Sequence, residues 1–180
     1  VITRTPSHFF SYLLSFFIGT ENPINQPEEA YKSQGSINGS SQIYDGPYVF
    51  YRDGKIVAKS IVRQDSSFVE QIKSYSKKNE IRLSCFVSET GDSFSFALKN
   101  KMSIPNSEYS MSNKMFVISD IEGNFKGFKM ILQGAGVIDK NLNWSFGKGH
   151  FVFNGDLFDR GMQVTECLWL MYKLESEAEA

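Results

Sequence analysis

The stretch Met115-Phe-Val-Ile118-Ser-Asp120-Ile-Glu122-Gly123-Asn124 decides the reading, together with Phe151-Val-Phe153-Asn-Gly155-Asp156-Leu-Phe-Asp159-Arg160-Gly161. Each is a short continuous apolar run followed by a polar, glycine-bearing turn. Such a run suits a strand buried on both faces. Phe125, Phe128, Ile131 and Leu132 follow the first turn at helical spacing, and Val164, Cys167, Leu168, Met171 and Leu174 follow the second. Strand, turn and helix occur twice, which predicts a βαβ unit and an α/β fold. The excursion from Asp139 to Gly149 lies between them, with Trp144 and Phe146 expected to cover the sheet edge.

Upstream, residues 47–112 read as a small β-rich module. Tyr48–Tyr51 and Ile56–Val62 flank Asp53-Gly54, a strong hairpin signal. Ile81–Val87 and Ser93–Leu98 form a second expected hairpin, with Cys85 on its core face. Ser67–Tyr75 is expected to be a short helix. Residues 21–46 read as a linker rich in Asn, Gln, Ser, Gly and Pro. Residues 1–20 carry an apolar run, Phe9 to Ile18, too short to span a bilayer and similar in length to a signal-peptide core. The expected site is therefore the periplasm or cell envelope, with the cytoplasm as alternative, and membrane association only through that segment. The last helix runs into Glu175-Ser-Glu177-Ala-Glu179-Ala180 with no glycine cap, so the domain from 113 to 180 is expected to be truncated.

Composition narrows function. The 180 residues carry 19 Lys and Arg against 20 Asp and Glu, a formal charge of -1. That excludes the basic footprint of a general nucleic-acid binder. Two Cys exclude a disulfide scaffold. Only two His are present, and His150 falls at the far end of its strand from Asp156.

The carboxyl ends of strands are where open α/β sheets bind ligands. Asp120, Glu122, Asp156, Asp159 and Arg160 would meet there. Clustered carboxylates repel unless a cation or proton resolves them. Hard divalent metals suit oxygen donors, and an Arg beside them is a fork for phosphate.

At these residues the sequence resembles the calcineurin-like metallophosphoesterases, a superfamily that includes the Ser/Thr protein phosphatases and the bacterial Shewanella-like phosphatases. Gly155-Asp156-Leu-Phe-Asp159-Arg160-Gly161 follows that family's second motif throughout. Asp120-Ile-Glu122-Gly123-Asn124 follows its first, with Glu122 where the family has His. The resemblance implies two divalent metals (Mn, Fe, Mg or Zn), with Asp120, Glu122 and Asp156 as ligands. It implies Arg160, Asp159 and Asn124 as catalytic residues, Arg160 clamping the phosphoryl group of a phosphorylated protein or small molecule. The alternative expectation is a non-catalytic envelope or binding protein with a degenerate phosphatase-like domain.

Overall fold

The structure is a computed structural model and describes residues 42–76, 80–99 and 108–179. The residues before 42, which hold the expected leader and nearly all of the expected linker, lie outside the described residues. Seven strands and two helices are described: β1 Gln42–Arg52, β2 Lys55–Gln64, β3 Ser67–Ser76, β4 Arg82–Val87, β5 Asp92–Ala97, β6 Met115–Ile118, α1 Phe125–Gly134, β7 His150–Phe153 and α2 Val164–Ala178.

The Asp53-Gly54 hairpin forms as expected, Arg52 pairing Lys55 across a turn in which both Asp53 and Gly54 have positive φ. Ser67–Ser76 is a strand and not a helix. It pairs β2 along its whole length, from Gln64 opposite Ser67 to Lys55 opposite Ser76. Phe68, Val69 and Ile72 fit a helical stripe, but the pairing with β2 satisfies the backbone of the segment without one. β4 and β5 form the second hairpin, with Cys85 fully buried opposite Phe94.

β6 and β7 pair in parallel, Phe116 opposite Phe151 and Ile118 opposite Phe153, so the βαβ reading holds. Phe125, Phe128 and Leu132 bury one face of α1. Phe128 meets Phe151 and Phe153, which seats the helix on the sheet. α2 is buried along most of its length and joins the two halves. Its Trp169 stacks on Phe96 at 4.3 Å and donates its ring N–H to the Pro47 carbonyl. Trp169 is thus a packing residue. We expect Trp169→Ala to cost about 3–5 kcal/mol, the usual range for a buried aromatic, read as a fall in the urea midpoint; no fall would mean α2 does not anchor the β module.

Candidate functional site

Both motif turns meet at the carboxyl ends of β6 and β7. The backbone does the joining. Asp120 N–H donates to Gly155, Glu122 N–H to Asp156 and Gly123 N–H to Leu157, at 2.8–3.2 Å. Gly161 N–H returns to Glu122 at 2.7 Å and Gln163 N–H to Gly123 at 3.1 Å. The two loops are laced together residue by residue.

The lacing needs unusual backbone. Asp120, Glu122, Asp156, Asp159 and Arg160 all have positive φ, from 50° to 97°. Such conformations cost energy for non-glycine residues and cluster at functional sites. Gly161 is required for space: a Cβ there would lie 2.4 Å from the Gly123 carbonyl carbon. We expect Gly161→Ala to part the two loops and lower Tm by several degrees; an unchanged Tm would show that the loops can slip past one another.

The side chains fall as follows. Arg160 is three-quarters exposed and pairs with Glu122 at 3.0 Å. Asn124 caps α1, its side-chain oxygen accepting from Gly127 N–H at 2.8 Å. Asp120 accepts from Ser119. Asp159 accepts from its neighbour Arg160 N–H at 2.8 Å. Among the described residues no group of three or more His, Cys, Asp or Glu side chains is placed to hold a metal ion. Asp120, Glu122 and Asp156 share the loop cluster without forming a ligand set, and Glu122 is taken by Arg160. The dinuclear metal set implied by the motifs is therefore not assembled in this structure. His150 pairs Met115 at the amino end of its strand, away from the site, as its position predicted.

No family model matches the chain. The chain is 32% identical over 101 residues to Shewanella-like protein phosphatase 1 of Plasmodium berghei, covering 51% of this chain and 28% of the relative. It is 28% identical over 123 residues to Shewanella-like protein phosphatase 2 of Arabidopsis thaliana, covering 68% and 28%. A solved cold-active protein tyrosine phosphatase superposes with a TM-score of 0.58 at 30% identity, covering 78% of this chain and 39% of that one. The cold-active protein tyrosine phosphatase of a psychrophilic Shewanella superposes with a TM-score of 0.51 at 31% identity, covering 75% and 39%. The chain thus spans between a quarter and two-fifths of these relatives' lengths. They are protein phosphatases by name.

Proposed function

We propose that the protein to which this chain contributes is a protein phosphatase. The observation that supports it is the joined pair of strand-end loops with an exposed guanidinium between them, in a chain similar to phosphatases along most of its described length. Arg160 offers a planar fork that matches a phosphoryl group, and its partner Glu122 is the group it would exchange for substrate. The similar solved structures carry the name protein tyrosine phosphatase, which makes phosphotyrosine the first substrate to try.

In the protein carrying the whole domain, we expect Arg160→Ala to cut kcat/KM on a phosphotyrosine peptide at least a hundredfold, and Arg160→Lys to recover little of it, since a point charge does not replace a bidentate fork. Wild-type kinetics in both variants would overturn the assignment of phosphate binding to Arg160. Binding without turnover by the unsubstituted protein would favour the non-catalytic alternative.

A further inference from the structure

We draw no further inference here: the strongest candidate, the exposed apolar face of β6 that carries Met115 and Val117, carries nothing because nothing in the structure shows what covers it.

Discussion

The backbone lacing between the two strand-end loops is the constraint on which the rest depends. It holds because β6 and β7 are parallel neighbours in register, Ile118 opposite Phe153, which brings the loops that follow them to the same edge. Asp120, Glu122 and Asp156 turn with positive φ, and each gives its N–H or its C=O to a hydrogen bond with the other loop. The strain of one loop is offset by hydrogen bonds to the other. Loss of either loop would leave its partner's backbone groups unsatisfied.

A second dependence runs through α2. Its buried face carries Cys167, Leu170, Met171 and Leu174, and it touches the β module through Trp169 and Tyr172. Glu166 on this helix is buried, and desolvation raises its carboxyl to about 7. A carboxyl raised in the folded state favours folding while protonated, so this contribution is present in acid and is lost as pH rises toward and through 7. Trp169 and Tyr172 tie the helix that follows the site loop to the module that precedes the site.

The sequence by itself determined the two hairpins, the parallel strand pair and the loops that carry the acidic and glycine residues. Alternation, Asp-Gly turns and apolar runs are local signals, and local signals survive folding. It did not determine β3, because a segment with apolar residues at 68, 69 and 72 fits either period until a partner strand is present. It did not determine the pairing of Glu122 with Arg160, because that is set by how two separate loops pack. Only the tertiary structure decided that Gly161 is there for contact with Gly123, since a glycine's reason is the atom that would otherwise be in its way.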